Sequence, residues 1–374
     1  MINTSSTFKG GSVQVARSFI EECVQFPEHE YHVLLGDMLS DLVSTANYPE
    51  NFFFYNVGYR PATRVLSFRS QDHDFKDIEK EIVPDVVFTT SGPAYWRPEA
   101  PHVIGYNLPH YIYGESPYFK QIPLWKRVKW FLKGKVIQHY FKRDADAYVV
   151  QTDDVNRRLR DWIKSERVYT VSNTYSRHYD SPKQVQNKLP ERKETEFRLL
   201  TLSAWYPHKN LKIIPDILEL LPVHLKERVR FVLTLPEASY KQHFRAGLNG
   251  SVINIGPVKP DEGPALYKEC DALFLPTLLE CFSASYAEAM RMEKPIVTSD
   301  MGFAHSVCGG AALYANPEDP NEFAEKISDL ADNPDLRRKL TEEGIKRQKA
   351  FPTARERAEQ YLNICKRLAD EHRK

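Results

Sequence analysis

The sequence predicts an α/β protein built from two doubly wound domains with a cleft between them. Three observations carry that expectation. Short apolar runs recur along the chain with amphipathic helical stretches between them, the pattern of parallel strands joined by helical crossovers. The pattern occurs twice, on either side of the polar, charge-rich stretch SPKQVQNKLPERKETE at 181–196, which lacks apolar periodicity and reads as a linker. A length of 374 residues also suits two cores better than one.

In the first series the strand-like runs are Met1–Thr4, YHVLLG (31–36), PDVVFTT (84–90), HVIGYNL (102–108), AYVVQT (147–152) and VYTVSN (168–173). Val13–Val24 has the spacing of an amphipathic helix. The second series runs FRLLTLSA (197–204), RVRFVLTLP (228–236), SVINIG (251–256), ALFLPT (272–277), PIVTSD (295–300) and AALYAN (311–316). Helical patterns follow at Asn321–Ala331 and Pro334–Ala350, and a long terminal helix closes the chain. The expected domains are therefore 1–180, joined by the crossing helix 352–374, and 181–351.

Composition excludes several classes. Lys plus Arg (51) nearly balance Asp plus Glu (50), so no global charge points to nucleic acid. Five cysteines form no CxxC pair and no Cys/His cluster of the kind that holds zinc. A reducing cytoplasmic compartment is expected. The N-terminus lacks the basic-then-apolar pattern of a leader. No run is long and apolar enough to span a bilayer.

The most informative stretch is LPTLLECFSASYAEAMRMEKPIVTSD (275–300). A strand ends near Pro276, a loop carries Glu280, and Ser283 or Ser285 caps a helix through Ala287–Met290. Such a junction aims backbone N–H groups and a positive helix end at an anion, and the small residues 283–285 let a diphosphate come close. On one continuous helix Glu280 and Glu288 would lie roughly 12 Å apart, beyond the roughly 5–10 Å of a glycosidase pair. The pair reads either as two handles on an extended ligand or as a loop acid plus a solvated helix acid. In LSAWYPHKN (202–210), Lys209 either reaches a phosphate or is an exposed turn lysine. Gly256 in INIGPV permits a tight turn; that turn either borders a base or is only a turn.

These residues together resemble the retaining GT-B glycosyltransferases of family 4, the group 1 type. Glu280 and Glu288 in ECFSASYAE match the family's acid–x7–acid motif, and Lys209 in PHKN its phosphate-binding lysine. Gly256 matches the glycine before the base pocket, and Asn173 in VSNTYS the asparagine after the last strand of the first domain. NPEDPNEFAEKISDLADNPDLRRKLTEEG resembles the terminal pattern. The likeness covers 200–370 well and the first half loosely. It implies a GT-B fold of two Rossmann-like domains, donor in the second and acceptor in the first. Lys209, Asn210, Gly256, Glu280, Phe282, Ser283, Ala284 and Glu288 would bind the donor. Glu280, Lys209 and His110 would be catalytic, with no cofactor and no metal. Two departures stand out. Ser203-Ala204-Trp205 occupies the place of a usual arginine, and Cys281-Phe282-Ser283 replaces Gly-Phe-Gly.

In the first half, Lys9-Gly10-Gly11-Ser12 is either an acceptor or phosphate loop built on Gly10 and Gly11, or a plain turn. His110 follows a strand end and resembles a family histidine that contacts the donor sugar; a satisfied loop histidine is the other reading. Trp96, Tyr106, Tyr111 and Tyr113 form either a sugar-stacking surface or core. DHD at 72–74 reads as a helix start, not a metal motif. The segment 123–143 holds seven Lys or Arg and no acid. Trp125, Val128, Leu132, Val136 and Tyr140 recur at helical spacing, and Gly134 interrupts them. Trp125, Lys126, Arg127, Lys129, Trp130 and Lys133 either face an anionic membrane or belong to a core helix whose basic face is solvated.

The expected protein is thus a glycosyltransferase that takes a nucleotide sugar and a glycan or lipid-linked glycan acceptor, with no nucleic-acid partner. It would work in the cytoplasm, peripheral to the inner membrane face, in surface polysaccharide synthesis. A nucleotide-sugar epimerase on the same fold is the alternative. A silent glycan- or membrane-binding module is another.

Overall fold

The computed structural model describes the chain apart from residues 8–9, 60, 67–71, 183–187, 245–247 and 249, and the side chains of 64–66 and 72–74. The chain divides into two compact units. One holds Met1–Tyr113, Leu124–Asn173 and Pro352–Lys374; the other holds Gly114–Pro123 and Thr174–Phe351. The division therefore falls at 173/174, where the sequence suggested 180/181, and Gly114–Pro123 goes with the second unit. Two hydrogen-bonded contacts explain that assignment. The Ser116 hydroxyl donates to the Leu278 carbonyl at 2.7 Å, and Lys120 pairs with Glu318 at 2.6 Å.

The first unit carries strands β1 (Ile2–Asn3), β2 (Tyr31–Gly36), β3 (Phe52–Val57), β4 (Val87–Thr89), β5 (His102–Gly105), β6 (Ala147–Val150) and β7 (Val168–Thr170). They form one parallel sheet in the order β3-β2-β1-β4-β5-β6-β7. Sequence reading missed β3, which pairs with β2 through six registered positions from Tyr31↔Phe52 to Gly36↔Val57. It is an edge strand whose exposed Phe53 stacks on His32 at 4.8 Å, so it shows neither the alternation of a one-sided strand nor the continuous burial of a central one. Helix α1 (Gly11–Cys23) buries Val13, Ala16, Phe19, Ile20 and Cys23, a stripe at the spacing helix geometry requires. Helix α2 (Leu124–Asp144) runs unbroken through Gly134. That glycine does not interrupt the helix, as the sequence suggested. A Cβ there would stand 3.1 Å from the Tyr111 ring, so the residue is a close-packing point. The stretch 72–74 does begin a helix, Asp72–Ile82.

The second unit carries β8 (Phe197–Thr201), β9 (Val229–Leu233), β10 (Val252–Asn254), β11 (Ala272–Leu275), β12 (Ile296–Ser299) and β13 (Ala312–Ala315). They form a six-stranded parallel sheet in the order β10-β9-β8-β11-β12-β13. All its registered pairs are parallel, and β8, β9, β11 and β12 are buried along their whole length, as a sheet covered on both faces demands. Helices α3 (Ile214–Leu220), α4 (Ala284–Arg291), α5 (Pro320–Asp332) and α6 (Pro334–Gln348) follow the strand pattern. Asp319 and Asn333 cap α5 and α6, each with a proline in the first turn, the arrangement the sequence signals. Of the stretch read as a linker, the part after residue 187 is tied down: Lys188 pairs with Glu262 at 2.7 Å and Arg192 with Asp271 at 2.8 Å.

Helix α7 (Ala354–His372) packs back on the first unit. A Thr353/Glu356 capping box opens it. Tyr361 meets Phe19 edge-on at 5.4 Å, and Cys365 shares the same core cluster as Cys23. Arg357 is 3% exposed, its guanidinium donating to Asn173 Oδ1 and to Ser18 Oγ at 2.8 Å. Among the described residues no helix is long and apolar enough to cross a membrane.

Close packing at the carboxyl end of β5 gives a test. A Cβ on Gly105 would meet the Thr90 carbonyl oxygen at 2.3 Å, an atom that cannot swing aside. Gly105→Ala is expected to cost about 1–3 kcal/mol of stability, read from urea denaturation midpoints; an unchanged midpoint would mean that the carboxyl end of β5 is more loosely packed than its geometry indicates.

Candidate functional site

In each sheet the strand order reverses once: between β1 and β4 in the first and between β8 and β11 in the second. Connections from the two strands leave in opposite directions there. The space above their carboxyl ends stays open, which is where ligands of doubly wound sheets bind.

In the second unit, the chain leaving β8 makes the short turn Pro207–Lys209, and the chain leaving β11 makes the loop that carries Glu280. The structure brings Lys209 and Glu280 together: the ammonium donates to Glu280 Oε1, and both side chains are largely buried, at 14% and 15% exposure. The loops are stitched to each other as well. Leu278 N donates to the His208 carbonyl at 2.7 Å, and the Thr277 hydroxyl lies 3.2 Å from that carbonyl and 3.3 Å from Glu280 Oε1. Asn210 takes a left-handed conformation at φ +56°, which asparagine tolerates. It is 3% exposed and donates to the Pro317 carbonyl at 3.0 Å. That bond from its amide pins the turn that presents Lys209. His208 stacks on Tyr206 at 5.4 Å. Burial, with the Lys209 charge beside it, pushes its imidazole down to about 4, so it stays neutral near pH 7 and Lys209 carries the positive charge of this turn.

Helix α4 begins beyond that loop. Ser283 is its N-cap by backbone conformation, but its hydroxyl makes no capping bond. The first-turn N–H groups at Ala284 and beyond thus lack the side-chain acceptor that commonly satisfies them. Phe282 meets Phe351 edge-on at 6.2 Å.

Glu288 is set differently. It sits one turn along α4, half-buried, in the company of Tyr179 and Tyr267. Burial pushes its carboxyl up to about 7, against a hydrogen bond from Tyr179 that lowers it. Tyr179 reaches this place because Gly263 has no side chain: a Cβ there would stand 2.3 Å from the tyrosine hydroxyl. Tyr267 faces Tyr179 at 5.9 Å and donates to the Ser285 carbonyl at 3.1 Å. Arg291, one turn past Glu288, pairs with Asp180 at 3.1 Å and so pins the neighbouring turn. Sequence reading missed Tyr179, Thr277 and Gly263. Nothing in their local sequence marks them; only the fold brings them to the acids. Gly256 follows β10 with φ +76° and nothing within 4 Å of its Cβ position, an open turn that glycine's freedom permits.

In the first unit the corresponding junction is polar and, among the described residues, uncharged. Asn3 donates to Thr89 Oγ1 at 3.1 Å and accepts from the Ser5 amide and hydroxyl at 3.0 and 2.7 Å. Gly10 precedes α1 at φ +58°, and both Gly10 and Gly11 face open space; Lys9 lies outside the described residues. His110 sits in the turn Pro109–Tyr111 and stacks flat on Trp130, 4.6 Å between ring centres at 6°. Trp96, Tyr106 and Tyr113 are fully buried, so they are core and not a sugar-stacking surface; Tyr113 donates to Asp154 at 2.6 Å.

The raised Glu288 carboxyl has a stability consequence. An acid whose folded pKa exceeds its unfolded value near 4.5 favours folding below that value, and the contribution is lost as pH rises through about 7. Between about pH 5 and pH 8, wild type should lose on the order of 2 kcal/mol relative to Glu288→Gln. Parallel denaturation curves for the two proteins at both pH values would measure the difference, and curves that stay parallel across this range would refute the environment described for Glu288.

Residues 183–347 match the family described as glycosyl transferases group 1. The chain is 28% identical over 180 residues to the O-antigen chain mannosyltransferase RfbU of Salmonella typhimurium, covering 46% of this chain and 47% of that protein. It is 24% identical over 157 residues to O-antigen chain mannosyltransferase B of Escherichia coli, covering 41% of each. The matched stretch thus spans about half the length of these curated relatives or less. In structure the chain resembles a glycosyltransferase from Rickettsia africae, with a TM-score of 0.70 at 14% identity over 98% of this chain and 97% of that one. The segment 183–347 is therefore a glycosyl transferases group 1 region, carried on a chain with the two-sheet GT-B fold.

Proposed function

We propose that this chain is a retaining glycosyltransferase that moves a sugar from a nucleotide-diphosphate donor to a glycan or lipid-linked glycan. The reading places it in surface polysaccharide or lipopolysaccharide synthesis, peripheral to the inner face of a membrane. The observation that carries it is the Lys209–Glu280 pair at the β8/β11 strand reversal, inside the matched segment. A cation and a carboxylate so placed suit an anionic leaving group attached to a polyol.

In this reading the donor's diphosphate displaces Glu280 from Lys209. The ammonium and the first-turn N–H groups of α4 at Ser283 and Ala284 then stabilise the charge that develops on the departing phosphate. Glu280, released, holds hydroxyls of the transferred sugar, and Glu288 holds the ribose, with Gly256 bordering the base. Transfer rests on positioning and electrostatic stabilisation, and no metal takes part. The two O-antigen mannosyltransferases among its relatives favour a hexose donor and a growing glycan acceptor, which the first unit would take.

Two variants test the assignment. Lys209→Ala should weaken binding of nucleoside diphosphates by at least about tenfold, roughly 1.4 kcal/mol, measured calorimetrically with uridine, guanosine and adenosine diphosphates in turn. Glu280→Ala should lower kcat about a hundredfold or more, as expected when a preorganised polar contact to the reacting sugar is lost. Unchanged turnover in Glu280→Ala would remove the assignment. Formation of a new nucleotide-sugar isomer from donor alone would favour an epimerase.

A further inference from the structure

Helix α2 has two opposed faces, and only one is used by the fold. At roughly 100° per residue, Trp130, Gly134, Ile137 and Phe141 fall on one side. Gly134, Ile137 and Phe141 are buried there, and Trp130 is half-buried against His110 and Tyr111, with ring centres at 4.6 and 5.7 Å. Leu124, Trp125, Val128, Phe131, Leu132 and Val136 fall on the other side and are 50–72% exposed. The fold thus leaves six large apolar side chains of one helix in solvent, a concentration that marks an interaction surface and not scattered exposure.

The charge around this face selects its occupant. Lys126, Arg127, Lys129 and Lys133 flank it, Lys135 stands within it beside Phe131, and the segment 123–143 contains no Asp or Glu. Lys126 lies over the Trp125 ring at 5.3 Å and Lys135 over Phe131 at 5.4 Å, so aromatic and ammonium groups already stand together at the border between the apolar stripe and water. A second copy in a two-fold contact would set this basic rim against itself. An anionic lipid surface satisfies both features at once, with apolar side chains among the acyl chains and lysines at the headgroups.

We propose that α2 docks the chain on an anionic bilayer through Leu124, Trp125, Val128, Phe131, Leu132 and Val136, with Trp130 turned inward and taking no part. This deepens the membrane-face reading above by naming the lipid chemistry and the inserted side chains, and it replaces the sequence-derived set in two respects. Trp130 leaves the contact, and the apolar stripe, read from spacing as Trp125, Val128, Leu132, Val136 and Tyr140, gains Leu124 and Phe131 while losing Tyr140, which is half-buried beside Tyr95 at 4.8 Å.

Co-sedimentation of the full chain with vesicles tests it, without donor or acceptor, so that docking and sugar transfer can fail separately. Phosphatidylcholine vesicles containing about one quarter phosphatidylglycerol should bind at least about tenfold more tightly than pure phosphatidylcholine, and raised salt should weaken that binding. The double variant Phe131→Glu/Leu132→Glu should lose about tenfold or more with an unchanged thermal melt, both side chains being exposed, while Trp130→Phe should stay within about twofold of wild type. Equal binding of the double variant and wild type would overturn the proposal, as would absence of binding to anionic vesicles. Concentration-dependent self-association abolished by the same double variant would assign the face to a second copy instead.

Discussion

The second unit is organised around one pairing: a lysine and a glutamate, both largely withdrawn from water, each satisfying the other across the point where the strand order reverses. A buried charge without a partner is costly, and removing one member of such a pair strands the other. The surrounding bonds hold the pair in register. Leu278 and Thr277 are tied to the His208 carbonyl, Ser116 to Leu278, and Asn210 to Pro317. Residues from four separate stretches of chain thus fix two side chains, and in the proposed reaction the donor's diphosphate takes over the ammonium of that pair.

The two acids of the motif meet different surroundings. Glu280 faces a cation, whereas Glu288 faces two tyrosines and a protein interior that favours its neutral form. Two carboxylates in different environments suit different tasks. The tyrosine beside Glu288 depends in turn on the bare backbone of Gly263, so one missing side chain sets the surroundings of a carboxylate on another helix.

The first unit repeats the topology with other contents. Among the described residues its reversal point is lined by amide and hydroxyl groups, and its buried cation, Arg357, likewise has amide and hydroxyl partners. Fold therefore does not carry chemistry by itself: the same reversal of strand order presents an ion pair in one sheet and, among the described residues, neutral polar groups in the other. Helix α2 makes the same point at the scale of a single element, with one face committed to packing His110 and Tyr111 and the other left apolar, basic and open.

Much of this was legible in the sequence. Buried parallel strands read as continuous apolar runs, so all but one strand of the described residues could be placed from those runs; β3 escaped because it lies at an edge and is only partly covered. The helices after Asp319, Asn333 and Thr353 were legible from their periodicity, and the structure adds caps made of local bonds that span only a few residues. The acid pair and Lys209 were visible as a pattern, because loop ends beside strands are where such groups collect. What the sequence could not decide was adjacency across long separations. That Lys209 touches Glu280, that Tyr179 stands at Glu288, that Asn210 is turned to Pro317, and that Trp130 lies flat on His110 while its neighbours face water all depend on which elements the folded sheets bring side by side, and no periodicity along a chain records that.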